Sequence, residues 1–291
     1  MDGLAKASIS TIDGITVPSA TLLLDTYTNS TGAWSVRLLR TLYTGPCMRV
    51  RRISDDVEAD VGFDSNNEFG LTSPISNTSD GLSYTDFADF VDHTGTPTDG
   101  MVRFWYDQST EGRDAGMATK TRQCQIYDAV NGIIEDNGHP CIQPQAVNEF
   151  LDIDNTGVTV FDKTMFMVVR ATQTLVSPLG GSNNSYVLIA HQNSTSTIID
   201  QSVDGADYRL DGATYTTTTR GDLYDEVSPA PVLASVLIGR NIQQWTVLGS
   251  TFSSVSWYQC SEMVFFDDDE FTSGNLSGIE SNIATNFGIT I

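Results

Sequence analysis

Lysine is scarce. Lys6, Lys120 and Lys163 are the whole supply, and with arginine they make 15 basic residues against 37 acidic ones, a formal net charge of −22. A surface of that sign repels nucleic-acid phosphates and excludes a nucleic-acid partner. It suits a divalent cation, a neutral sugar or a basic partner surface instead. Long apolar runs are also missing: no stretch approaches the ~20 residues of a membrane span, and "MDGLAKASIS" has no apolar signal core. The expectation is a protein made and folded in a cytoplasm, without membrane insertion. Cys47, Cys124, Cys141 and Cys260 are too widely spaced for a zinc site. Buried free thiols are their ordinary reading, with one or two disulfides the alternative in an exported protein. His93, His139 and His191 are scattered, and nothing favours a Ser/His/Asp triad. The glycine-rich "LGGSNNS" (179–185) lacks the lysine of a phosphate loop and reads as a loop.

What the chain does have is 40% hydrophobic residues, enough for a core, cut into short stretches by Gly, Asn, Asp, Ser and Thr. Asp13-Gly14 suits a tight hairpin turn, with Ile12, Ile15 and Val17 on one face. Trp34, Leu38 and Leu42 recur every four residues, with Thr31 before them and Gly45-Pro46 after, which predicts a short amphipathic helix over 31–45. "MRVRRISDDVEADVGF" reads as a hairpin bearing Arg49, Arg51 and Arg52 and turning at Asp55-Asp56. "SYTDFADFVDH" reads as a second helix. From residue 100 onward strands are expected over 101–107, 120–127, 149–154, 164–172, 185–192, 196–203, 207–211, 231–239, 243–249 and 254–267. Leu276, Ile279, Ile283 and Phe287 then mark a last helix closed by Gly288. Many short strands with few helices predict an all-β sandwich of jelly-roll type.

Four stretches carry a resemblance. "LLLDTYTNSTGAWSVRLLRTLYTGPCMRVRRISDDVEADVGFDSNNEF", "FWYDQSTEGRDA", "NGHPCIQPQAVNEFLDI" and "SEMVFFDDDEFTSGNLSGIESNIATNFGI" resemble, in order, segments of phage tail and virion proteins with a concanavalin A-like lectin/glucanase domain. They are also similar to the catalytic domain of α-L-arabinofuranosidase B, and the last to laminin-G-like domains. The resemblance implies a concanavalin A-like jelly-roll sandwich over 22–291, with residues 1–21 as an N-terminal hairpin arm for virion attachment or oligomer contact.

Asp107, in "FWYDQSTEGRDA", follows an aromatic strand and precedes Ser109, Thr110 and Gly112. A carboxylate there locks a turn by accepting backbone N–H groups, with Arg113 to offset its charge. The resemblance places the family's catalytic carboxylates elsewhere. Its nucleophile would fall in "SYVLIAHQNSTSTIID", where Gln192 or Asn193 stands, and its second carboxylate near Asp267, Asp268 or Asp269. Glycoside hydrolysis needs two carboxylates flanking the bond, so the resemblance without the Glu implies a protein that is not an enzyme.

Asp267-Asp268-Asp269-Glu270 offers oxygen ligands to a hard cation such as Ca2+, although an acidic turn ahead of the last helix is the plainer reading. "DVGFDSNNEFG" (Asp60, Asp64, Asn66, Glu68) lacks the full calcium-loop pattern and reads as a solvated hairpin loop. No metal site and no cofactor are assigned. Loop groups suited to a sugar are Asn183, Asn184, Tyr186, Asn193 and Tyr208, with Tyr215 and Tyr224 beside them. The resemblance implies a phage virion protein, in tail fibre or head decoration, that adheres to a host-surface glycan. Its partners would be other virion proteins and copies of itself, and its location the virion. A glycoside hydrolase of arabinofuranosidase type and a purely structural virion protein are the rival readings.

Overall fold

The computed structural model describes residues 11–12, 15–16, 21–146, 148–153, 163–172, 175–176, 179–181, 185–187, 190–196, 207–216, 219–238, 245–247 and 258–291. Its body is a β sandwich. Among the described residues, one antiparallel sheet has 11 strands and the facing one 6. The smaller sheet is built on Thr164–Ala171, which pairs with Val232–Leu237 on one side and Tyr258–Phe266 on the other; Ser30–Ser35 extends it beyond the latter. The larger one centres on Met48–Arg52, Gly100–Trp105, Ala115–Gly116 and Leu151–Ile153.

Alternation along the strands sets the inner faces. Trp34, Met165, Met263 and Phe265 from the smaller sheet and Met48, Val50, Val102, Trp105 and Leu151 from the larger join one core cluster and are fully buried. The C-terminal helix, Leu276–Phe287, packs on the other face of the smaller sheet through Ile279, Ile283 and Phe287. Its chain turns off at Gly288, whose φ of 64° favours glycine.

The expected helix over 31–45 is corrected. Ser30–Ser35 is a strand, and residues 31–37 are all buried. The backbone beyond it is claimed by a buried side chain: Gln108 receives the Leu39 N–H on Oε1 and donates from Nε2 to the carbonyls of Ser35 and Arg37. A helix would have to give up those bonds, so tertiary pairing overrides the four-residue period. Leu42 shows the same failure: it is 77% exposed, where the helix would have buried it.

Other elements stand as read. The hairpin Met48–Arg52/Glu58–Val61 turns at Asp56, which takes a left-handed φ of 64°. Thr11–Ile12 pairs with Ile15–Thr16, while the expected turn at Asp13-Gly14 lies outside the described residues. Phe87–Val91 is helical, capped by Asp86. Within 120–127 the strand starts only at Gln125, after a turn of 3-10 helix at Lys120–Arg122. The expected strand over 196–203 lies almost wholly outside the described residues. The longest of the helices that escaped the sequence reading is Arg220–Val227. Thr219 accepts the Asp222 N–H and donates to the Asp222 carboxylate, a reciprocal cap visible as Thr-x-x-Asp.

Candidate functional site

Asp107 is a lock. Its carboxylate is buried and accepts the backbone N–H groups of Ala33, Ser109 and Arg113 at 2.8 Å each and the Ser109 hydroxyl at 2.7 Å. Four bonds use the lone-pair sites that a carboxylate has. Arg113 contributes its backbone N–H to Asp107 and sends Nη1 to the Thr31 carbonyl, with its guanidinium beside the Trp34 and Phe265 rings.

The outer face of the larger sheet holds a different carboxylate. Residues directly opposite on adjacent strands share a face, and the register aligns Asp60, Arg49, Phe104, Gly116 and Asp152 in one row. Asp152 interrupts the apolar run Leu151-Asp152-Ile153, so period two alone turns it outward. The ring of Phe104 lies across Gly116, where a Cβ would come within 2.5 Å of it; only glycine lets the ring lie there. Among the described residues, Asp152 Oδ1 is buried without a hydrogen-bond partner. Burial raises its pKa above the ordinary carboxylate value, opposed by the positive charge of Arg122. A raised pKa moves a carboxyl towards the range in which a general acid works.

The rest of the row is committed. Arg49 bonds Glu58 and Asp60, and the Tyr106 hydroxyl donates to Asp60 at 2.8 Å. Phe104 is flanked by the Arg103 guanidinium 4.2 Å from its centroid and by the Tyr106 ring at 6.1 Å. Asp60 stands four strands from Asp152, or about 19 Å at the usual strand spacing, too far to share a glycosidic bond with it.

The acidic turn lies at the end of Tyr258–Phe266, in the other sheet. Asp267 and Asp268 are exposed, and Asp268 accepts the Asn29 amide, as does buried Glu270. Glu270 also takes the Asn275 amide and a Ser273 hydroxyl. Asp269 leads into the short helix Glu270–Ser273, with its Oδ1 buried and unpartnered. Among the described residues no group of three or more His, Cys, Asp or Glu side chains could hold a metal ion. In "DVGFDSNNEFG", Asp64 accepts the N–H groups of Asn66 and Glu68, so that loop closes on itself.

The described members of the expected sugar-binding set lie on separate elements. Asn183 and Asn184 lie outside the described residues. Tyr186 sits in the strand Ser185–Val187, in register with Gly180. Gln192 and Asn193 are exposed in a turn, Asn193 with φ of 58°. Tyr208 is buried, at 7% exposure. Tyr215 and Tyr224 are half-buried. All four cysteines are free and buried. Burial pushes their thiols well above the ordinary value, which leaves them inert packing groups.

No protein-family model matches this sequence, and no curated protein matches it. Solved structures do match the fold. An arabinofuranosidase complexed with arabinofuranosyl-α-1,2-xylobiose is 14% identical, with a TM-score of 0.50. A mutant GH54 α-L-arabinofuranosidase soaked with 4-nitrophenyl α-L-arabinofuranoside is 15% identical, with a TM-score of 0.45. In both cases the match covers 90% of this chain and 64% of the other, so this chain spans under two thirds of their length. The likeness establishes the lectin/glucanase-type β sandwich. It also corrects two expectations, the virion adhesion protein and the absence of enzymatic function, because the fold matched is that of an arabinofuranosidase.

Proposed function

We propose that the chain is a glycoside hydrolase of arabinofuranosidase type, with Asp152 as the proton donor to the leaving oxygen. The observation that carries the reading is the fold likeness to an arabinofuranosidase over 90% of the chain. Asp152 supports it, because a desolvated carboxyl on an open sheet face is the acid half of the two-carboxylate chemistry. The exposed Asp268 and its neighbours Asp267 and Asp269 are the next carboxylates to substitute for the second role.

The test is release of 4-nitrophenol from 4-nitrophenyl α-L-arabinofuranoside, with arabinoxylan as the polymeric substrate. Asp152→Asn is expected to lower kcat at least about a hundredfold, the low end of general-acid catalysis. No turnover of either substrate by the wild type would overturn the reading.

The same substitution should stabilise the fold. A carboxyl whose folded pKa is raised contributes stability that is complete below its unfolded value, about 3.9, and is lost as pH rises through the folded value. Asp152→Asn removes that loss. The variant is therefore expected to melt above the wild type at pH 7 and to converge with it near pH 3. A variant equal to or less stable than the wild type at pH 7 would show that Asp152 is comfortable as an anion.

A further inference from the structure

We propose that the cleft between the C-terminal helix and the segments 21–27 and 66–68 is a second binding site, for a neutral oligosaccharide. The cleft measures about 670 Å³ and is lined by Tyr27, Asn67, Glu68, Ser281, Thr285 and Asn286, with Arg37 and Asn282 at its base. Small-molecule sites occupy roughly 300–1,000 Å³, so a short oligosaccharide fits.

The helix supplies one wall through Gly278, Ser281, Asn282, Thr285 and Asn286, which recur at three- and four-residue steps and so form one stripe. A helix face turned from the core usually carries charges. In a chain with a net charge of −22 this one carries none, only hydroxyls and amides. Gly278 is needed where Tyr27 meets the helix: a Cβ there would lie 2.0 Å from the Tyr27 hydroxyl. That close approach fixes the aromatic ring in the wall.

The charged groups at the cleft are already paired. Arg37 spends Nε and Nη2 on Glu262 and reaches the Asn282 amide oxygen at 3.0 Å. Glu68 Oε1 lies 2.8 Å from His139 Nδ1. An anion would face Glu68 and a cation would face Arg37, so neither is favoured. Among the described residues, Asn67, Ser281, Thr285 and Asn286 make no side-chain hydrogen bond to the protein. Amides and hydroxyls free to bond, one paired carboxylate and an aromatic wall match the alternating hydroxyls and C–H faces of a sugar.

The site stands on the opposite side of the sandwich from Asp152, because the helix covers the outer face of the smaller sheet. It would hold a glycan without cleaving it, and it does not rest on the hydrolase reading.

Titrating the full chain with xylo-, arabino-, cello- and manno-oligosaccharides, and with inorganic phosphate as an anionic control, tests the site by backbone amide NMR. At least one neutral oligosaccharide is expected to shift signals of residues 66–68 and 278–286, and phosphate to shift none of them. Ser281→Trp and Thr285→Arg change exposed positions on the helix and should keep the wild-type melting temperature. Each is expected to weaken binding at least about tenfold. The proposal is overturned if no sugar shifts those residues, if shifts confine themselves to 103–116 and 152, if phosphate binds in place of sugar, or if both folded variants bind as the wild type does. Because the readout is binding, it separates from any failure of hydrolysis.

Discussion

Asp107→Ala is expected to lower the stability of the fold by about 4 kcal/mol. The substitution strands three backbone N–H groups, those of Ala33, Ser109 and Arg113, and each buried unsatisfied donor costs roughly 1–3 kcal/mol. The Ala33 bond ties the loop to Ser30–Ser35 in the smaller sheet, so its loss also loosens the junction between the sheets. Asp107→Asn should cost about half as much. It keeps the acceptor facing Ala33 and Ser109 but turns an NH2 group towards the Arg113 N–H. Urea unfolding followed by fluorescence reads both variants, with the midpoint falling and the slope unchanged. If Asp107→Ala fell within about 1 kcal/mol of the wild type, the loop would be held by Gln108 and Ser109 without the carboxylate.

That role was legible in the sequence, because Asp-x-Ser after an aromatic strand has a local chemical meaning. So did the hairpin at Asp55-Asp56 and the helix closed by Gly288, where turn residues and periodicity agree. The segment 31–45 misled for the opposite reason. Its period of four is real, yet the groups that capture its backbone, Gln108 and the strand Tyr258–Phe266, lie about 70 and 225 residues away. The Arg220–Val227 helix was signalled by Thr219 and Asp222 and hidden by the strand-like stretches around it.

The sites were less legible. Asp152 did carry a signal, since aspartate is depleted in strands and this one stands alone between Leu151 and Ile153. What the sequence could not show is the register that lays Phe104 over Gly116 beside it. The cleft is harder still. Tyr27, Glu68 and Ser281 come from three distant segments, and no local pattern joins them. The same stripe of helix residues that reads as an ordinary polar face becomes a wall only because the helix is seated on the smaller sheet, by its apolar face and by the Arg37 bond to Asn282.

That attachment gives the second large effect. Glu262→Ala is expected to destabilise the protein by about 3–5 kcal/mol, the cost of breaking a buried ion pair by removing one partner. Glu262 is wholly buried and receives the Ser35 hydroxyl at 2.7 Å and the Arg37 guanidinium at 2.7 and 3.0 Å, while the Arg37 side chain is 8% exposed. Removal of the carboxylate leaves a buried cation whose remaining side-chain contacts, among the described residues, are the Asn282 amide oxygen and the Phe287 ring. Amide exchange should therefore accelerate first along Leu276–Phe287, ahead of global unfolding. The second pin, Glu280 with Arg209 and Ser235, holds the other side of the helix. Arg209 is 22% exposed, so Arg209→Ala should cost less than Glu262→Ala. Replacing both members of the first pair, Arg37→Met with Glu262→Met, is expected to cost less than either alanine variant alone, because no unpaired charge remains. A double variant as damaging as the sum of the singles would mean that the two side chains act separately, and that the helix is held by its apolar face rather than by the pair.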